Sequence, residues 1–148
     1  MLAYKELQDI LTTTLNWEQA MLELYQVAEV GLKNSEASKT LSYLMENHCA
    51  QMEVLKNIRI ENYGPTEWVK FTADLREEDI IPKKTINRDS TAEDICAAIL
   101  EYEGNLRNFY QMVTDHLNTE QQKELFQSLV QFKENQIERI QNCLKQHK

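Results

Sequence analysis

Apolar residues recur every three or four positions along four long stretches of the chain. This spacing is that of one face of an α-helix, and the charged residues between the apolar positions are typical of its solvent-facing side. In the first stretch the apolar face includes Leu7, Leu11 and Leu15, and in the last it includes Leu125, Leu129 and Ile140. The pattern predicts helices over residues 4–33, 35–61, 92–117 and 119–146.

The segments between these helices predict how they connect. Asn34-Ser35-Glu36 and Asn118-Thr119-Glu120 are short breaks that end one helix and cap the next, so each break joins two neighbouring antiparallel helices. Residues 62–91 lose the periodicity and contain Gly64-Pro65 and Ile81-Pro82, which indicates a long crossover. The predicted fold class is all-α: an antiparallel four-helix bundle of two helical hairpins joined by that crossover, in a single domain over residues 1–148.

The amino-acid composition supports this prediction and excludes some classes of binding partner. Only 3 Gly and 2 Pro occur in 148 residues, which favours helices over a strand-and-turn fold. A net charge of -8 disfavours nucleic acid and anionic membrane. Neither a signal peptide nor a membrane-spanning segment is predicted. Cys49, Cys96 and Cys143 lack metal or redox spacing and are interpreted as reduced core residues, so a cytoplasmic location is expected.

The two predicted hairpins resemble each other when one is shifted along the other by 85 positions. Glu18 then falls on Glu103, and Tyr25 falls on Tyr110. The matches continue through both helices of each pair without a gap, which favours an internal duplication.

Each predicted helix carries a polar residue near the middle of its apolar face. These residues are Glu18, His48, Glu103 and Lys133, and Gln51 and Gln136 follow His48 and Lys133 by one helical turn. Buried charges are costly unless they are paired, hydrogen-bonded or bound to metal. The sequence therefore predicts one shared polar layer inside the bundle, while Tyr25 and Tyr110 are expected to be core aromatics with their hydroxyls on polar partners.

The patterns Glu18-x-x-Met21-x-x-Leu24-Tyr25 and Glu103-x-x-Leu106-x-x-Phe109-Tyr110 resemble the Glu-x-x-small-x-x-Phe-Tyr helices of the ferritin-like superfamily. Within it, the chain is similar to small rubrerythrin-related proteins that lack a rubredoxin tail. The resemblance covers nearly the whole chain and implies a ferritin-like fold. In that family, Leu-x-x-x-Glu-x-x-His on helices two and four completes a di-iron centre of four carboxylates and two imidazoles.

When the family's ligand positions are matched to this sequence, the di-iron site is incomplete. Glu18 and Glu103 match the family, but His48, Gln51, Lys133 and Gln136 stand where the other glutamates and histidines would be. The main expectation is that these six groups form a polar layer replacing the metal, with no cofactor and no catalytic residues. The alternative is a residual site in which Glu18, His48 and Glu103 are candidate ligands of Fe, Mn or Zn.

Three functional hypotheses remain. The first is a catalytically silent ferritin-like protein that acts through self-association, expected as a homodimer, or through a protein partner. The second is a metal-dependent oxidoreductase that reduces peroxide or oxidises ferrous iron at an altered mono- or dinuclear site. The third is a docking patch formed by the aromatic residues Trp17, Trp68 and Phe71.

Overall fold

The computed structural model of the chain describes residues 3–32, 37–65, 68–71, 80 and 90–146. Side chains are described for residues 6–32, 37–65, 80, 90–143 and 145. The predicted Ser35 cap and most of the predicted crossover lie outside these ranges.

Four long helices dominate the described residues, as the apolar periodicity predicts. They are α1 (Leu7–Gly31), α2 (Ala37–Lys56), α3 (Ala92–His116) and α4 (Glu120–Gln146). Two short strands, β1 (Ala3–Glu6) and β2 (Trp68–Phe71), and a 3₁₀ turn (Ile60–Tyr63) complete the described elements.

The start of the chain corrects the predicted first helix, which was expected from residue 4. Residues Ala3–Glu6 instead form β1, which pairs antiparallel with β2 so that Ala3 lies opposite Phe71 and Glu6 opposite Trp68. Local spacing cannot reveal this pairing because the partner strand lies more than sixty positions further along the chain. The helix begins at Leu7, which is fully buried.

The second helix is also shorter than predicted, because it ends at Lys56 and not near residue 61. The Asn57 side chain donates a 2.8 Å hydrogen bond to the Glu53 carbonyl and so satisfies part of the helix end. The chain then makes the 3₁₀ turn and reaches Gly64 at φ +97°, a conformation that L side chains rarely adopt. Gln122 of α4 donates a 2.7 Å hydrogen bond to the Pro65 carbonyl and holds this segment against α4.

The start of α3 is stabilised by a side-chain cap. Thr91 is the N-cap residue, and its hydroxyl accepts a 3.0 Å hydrogen bond from the Asp94 backbone N–H. The Asp94 carboxylate accepts from the Thr91 N–H in return, which completes a capping box. Three residues, Leu117–Thr119, then connect α3 to α4.

The core lies between the four helices, whose contacts are those of a bundle. α3 packs along α4 and α1 along α2, while α1 also contacts α3 and α2 contacts α4. Its largest fully buried apolar residues include Leu7, Met21, Tyr25, Leu41, Leu44, Ile99, Leu106, Tyr110 and Phe126. Ile80, within the predicted crossover, is buried and accepts a 2.9 Å hydrogen bond from Asn105 through its carbonyl. Among the described residues, no helix combines the length and apolarity needed to cross a membrane.

Candidate functional site

A layer of buried polar side chains crosses the middle of the bundle. α1 contributes Glu18, α2 His48, α3 Glu103 and α4 Lys133 with Gln136, and each has an exposed fraction of 1% or less. Each residue continues the inward-facing spacing of its own helix, which explains why polar groups lie in the core. Five of the six predicted layer residues therefore lie inside.

Gln51 is the exception to the predicted layer. It is half-buried and makes none of the hydrogen bonds that join the other five within the described structure. The prediction placed it by analogy with Gln136, yet one turn beyond His48 the α2 face is only partly covered. Gln51 is therefore less enclosed than the other five, and its place in the layer stays a prediction.

Lys133 is the centre of the layer. Its Nζ lies 2.8 Å from Glu18 Oε1 and 2.8 Å from Glu103 Oε1, and all three side chains are buried. Burial disfavours the charged ammonium, but attraction to Glu103 and Glu18 outweighs burial and raises the pKa of Lys133 above its usual value. Lys133 is therefore a cation at neutral pH and joins carboxylates from α1 and α3 to α4.

Glu103 has hydrogen-bond partners on both carboxylate oxygens. Lys133 donates to Oε1, and the Tyr25 hydroxyl donates to Oε2 over 3.2 Å. Gln136 continues the network by donating to the Tyr25 hydroxyl over 3.5 Å and to the Leu44 carbonyl over 3.0 Å. Burial and the adjacent Glu103 carboxylate raise the pKa of Tyr25 well above its usual value. The predicted polar partner of Tyr25 is thus confirmed.

Glu18 is less well satisfied. Its Oε1 contacts Lys133, but its Oε2 is buried without a hydrogen-bond partner among the described residues. Burial raises the pKa of Glu18, and Lys133 opposes that rise only in part. The Glu18 half of the layer therefore favours a protonated carboxyl group more than an exposed glutamate would.

His48 is held by backbone and not by another side chain. Its Nε2 lies 2.8 Å from the Glu18 carbonyl oxygen, so Nε2 carries the hydrogen and donates it. Its Nδ1 is buried without a partner in the described structure. Burial and Lys133 lower the pKa of His48 to about 4, so the ring is neutral at pH 7.

Tyr110, the repeat counterpart of Tyr25, does not make the equivalent contact. Its buried hydroxyl makes no hydrogen bond of good geometry among the described residues, but it interacts with the Thr14 side chain, which lowers the Tyr110 pKa in part. Burial and the Glu18 charge raise the pKa of Tyr110 well above its usual value. The aromatic ring itself belongs to the core, where it lies against Phe109 and Phe126.

A further hydrogen bond was not predicted from the sequence. The Tyr102 hydroxyl donates a 2.8 Å hydrogen bond to the Trp17 carbonyl. These two residues occupy equivalent positions in the repeat, as Glu18 and Glu103 do, so the repeat alignment was the signal that could have found them. Trp17 is buried and its ring meets Phe109 edge-on at 4.9 Å, which corrects its interpretation as a surface aromatic. The side chains of Trp68 and Phe71 lie outside the described set.

The residues present do not fit a di-iron centre. Two carboxylates and one ammonium group leave one net negative charge, whereas two ferrous ions would bring four positive charges. Lys133 contacts both carboxylates, and the Nε2 of His48 is committed to a carbonyl. In the described part of the chain, no group of three or more His, Cys, Asp or Glu side chains is arranged to hold a metal ion. The assignment of Glu18, His48 and Glu103 to a single ion stays a prediction.

Comparison of this chain with protein families, with curated proteins and with solved structures finds no match.

Proposed function

We propose that the chain is a rubrerythrin-related, ferritin-like bundle in which a network centred on Lys133 takes the place of the di-iron centre. The protein is catalytically silent and acts through self-association or a protein partner. The observation that carries this proposal is the position of Lys133 Nζ, 2.8 Å from both of the family-type glutamates. An ammonium group there supplies internally the positive charge that a metal would otherwise bring.

The helix contacts support the antiparallel, two-hairpin topology in this proposal. Between α3 and α4, Glu103 pairs with Lys133 and Arg107 pairs with Glu134, which shows the level at which the two helices face each other. Their three-residue connection leaves room only for a reversal of direction. Between α1 and α3, Gly31 approaches Ile95 while Tyr25 reaches Glu103, which is the order expected of opposed helices.

The network explains why charge is retained in the core without a catalytic role. A buried ion pair is a weak source of stability because desolvation offsets its attraction. A buried polar network can instead favour one alignment of helices, since any slippage leaves its charges unpaired. Here one lysine requires α1, α3 and α4 to remain at the same level, so we infer that the layer fixes the register of the bundle.

The surface supports an interaction role. Among the described residues, the exposed large apolar side chains all belong to α1 and α2: Val27, Val30, Tyr43 and Val54, with Val30 76% exposed. Self-association through this hairpin predicts that Val27→Glu with Val30→Glu shifts a homodimer towards monomer in light-scattering measurements. The matched control is Gln19→Glu with Gln26→Glu, which adds the same two charges at exposed positions of α1 without removing apolar surface. A wild-type monomer at all concentrations would leave only the partner form of the proposal.

The first test of the silent layer is the metal content of untagged protein from cultures supplemented with iron and manganese. We expect no stoichiometric Fe, Mn or Zn in a folded, helical protein. Two metal ions per chain would overturn the proposal.

A variant in which the metal ligands are restored should bind metal, which complements the absence expected of the wild type. Lys133→Glu with Gln136→His restores the family's helix-four pair and should gain metal over the wild type, because it exchanges the ammonium for a carboxylate and adds an imidazole. Lys145→Glu with Gln131→His makes the same chemical changes at exposed positions of α4 and should gain none. Equal metal uptake by both variants would show that the layer is not a displaced metal site.

A second function is favoured by two specific atoms. Glu18 Oε2 and His48 Nδ1 are buried electron-pair donors without hydrogen-bond partners among the described residues, as a residual metal-dependent oxidoreductase would require. This candidate predicts iron-dependent peroxide consumption or ferrous oxidation that is lost in Glu18→Ala and Glu103→Ala. Activity that persists in both variants would exclude this layer as its source.

A further inference from the structure

Two buried cysteines lie in the second hairpin. Cys96 belongs to α3 and Cys143 to α4, with exposed fractions of 3% and 4%, and both are part of the apolar core. Cys49 of α2 is exposed, which corrects its interpretation as a core residue. The three thiols therefore divide into one surface group and two interior groups.

The ion pairs between α3 and α4 show that the two interior cysteines lie at the same level. Measured from the Glu103–Lys133 pair, Cys96 is seven residues back and Cys143 ten residues on, or about 10 Å and about 15 Å along the two axes. Measured from Arg107–Glu134, they are eleven back and nine on, or about 16 Å and about 14 Å. The two offsets have opposite signs, so the true offset lies near zero.

The two thiol groups also interact electrostatically. Burial raises the pKa of Cys96 to about 11, and interaction with Cys143 adds to that rise. The two sulfur atoms therefore lie on facing helices, inside the core and at one level, which are conditions that a disulfide between them requires.

We propose that Cys96 and Cys143 are a dithiol modification site that a low-molecular-weight disulfide such as glutathione disulfide converts to an intramolecular disulfide. One protein thiolate attacks the small disulfide, forms a mixed disulfide and releases one small thiol. The other protein thiolate then attacks the protein sulfur of the mixed disulfide and releases the second small thiol. Two protein thiols are oxidised, one small disulfide is reduced, and the two protons end on the released thiols.

The position of the pair provides its access. Cys143 lies within one turn of the end of α4 at Gln146, and Cys96 lies in the second turn of α3. Helix ends open with much lower free energy than the centre of a core, so opening of the last α4 turn exposes Cys143 without global unfolding. The inference goes beyond the proposed function, of which it uses only the opposed directions of α3 and α4.

The test compares three variants under native conditions with glutathione disulfide at mildly alkaline pH. Cys49→Ser keeps the pair, while Cys49→Ser with Cys96→Ser and Cys49→Ser with Cys143→Ser each keep one member. After blocking free thiols, the first variant should lose both, show the mass of an internal disulfide and yield a linked peptide containing both cysteines. Its midpoint of thermal unfolding should rise by roughly 10 °C, because the crosslink closes a long loop.

The single-cysteine variants should carry at most one bound glutathione and show no such rise. A mixed disulfide that persists on the paired variant, two thiols that stay free, or a crosslink that forms only in denaturant would each overturn the proposal. Since none of these readouts involves metal or self-association, failure here is distinguishable from failure of the proposed function.

Discussion

The two hairpins provide opposite halves of one polar layer, and only one half is fully paired. The Glu103 carboxylate, from α3, uses both oxygens, one with Lys133 and one with Tyr25. The Glu18 carboxylate, from α1, uses one oxygen with Lys133 and leaves the other without a partner in the described structure. The equivalent glutamates of a repeated sequence therefore have unequal surroundings.

The difference arises from the residues that occupy equivalent positions on α2 and α4. Lys133 has a long chain that reaches across the core to both carboxylates. His48, its repeat counterpart, is shorter and donates to the backbone of its own hairpin at the Glu18 carbonyl. A symmetric pair of ligands could surround a symmetric metal centre, whereas one lysine and one histidine satisfy one carboxylate better than the other.

The largest effect is expected from removing the centre of the layer. Lys133→Met leaves two buried carboxylates without a cation and should lower the free energy of unfolding by about 3–5 kcal/mol in urea titrations. Lys145→Met, at an exposed position of the same helix, should change it by less than about 0.5 kcal/mol. Equal small effects in both variants would mean that Lys133 does not carry the layer.

His48 should lower the free energy of unfolding of the protein as the pH falls. Because the folded-state pKa is about 4 and the ordinary value is 6.5, the unfolded chain binds more protons between these pH values. The stability that the neutral ring contributes is complete above pH 6.5 and falls as the pH drops towards 4, by about 3 kcal/mol in total.

Glu18 opposes this trend, because its raised pKa means that the folded state takes up a proton as the pH falls. The unfolding free energy of His48→Gln, subtracted from that of the wild type at each pH, cancels the contributions of Glu18 and the other carboxylates, which both proteins share. The difference should therefore shrink between pH 6.5 and pH 4. A difference that is independent of pH would contradict a buried neutral histidine.

The helices could be predicted from the sequence because they depend on contacts three and four residues apart. α3 and α4 begin and end within a residue of their predicted bounds. The errors lie where distant segments decide: β1 depends on pairing with β2, and α2 ends where Asn57 competes for a helix carbonyl. Neither feature leaves a periodic signal.

The sequence could predict which residues lie in the polar layer, but it could not predict which of their atoms form hydrogen bonds with each other. Inward spacing identified Glu18, His48, Glu103, Lys133 and Gln136, since each replaces an apolar residue in a stripe. Which oxygen meets which donor depends on side-chain length and on backbone carbonyls such as those of Glu18 and Leu44, and these acceptors are the same for every residue type. For that reason the unequal halves could not be seen in a symmetric repeat.

The two carboxylates themselves provide the next comparison. Glu103→Gln weakens the charge-assisted hydrogen bonds with Lys133 and Tyr25, and should cost about 2–3 kcal/mol of unfolding free energy. Glu18→Gln also loses an ion pair but relieves an unpaired buried charge, so its cost should stay below about 1 kcal/mol. Chemical denaturation at pH 7 compares the two variants. Equal costs would show that both halves are equally satisfied.

The smallest effect should come from the two tyrosine hydroxyls. Tyr25→Phe removes the donor to Glu103 and the acceptor for Gln136, and should destabilise the fold by about 1–2 kcal/mol. Tyr110→Phe removes a buried hydroxyl whose contact with Thr14 falls short of good hydrogen-bond geometry, and should cost less than about 0.5 kcal/mol. Because both changes delete one oxygen from a buried ring, their urea midpoints separate hydrogen bonding from packing. If Tyr110→Phe proved as costly as Tyr25→Phe, the contact between Tyr110 and Thr14 would be a full hydrogen bond, and the two tyrosines would contribute equally to the stability of the two halves.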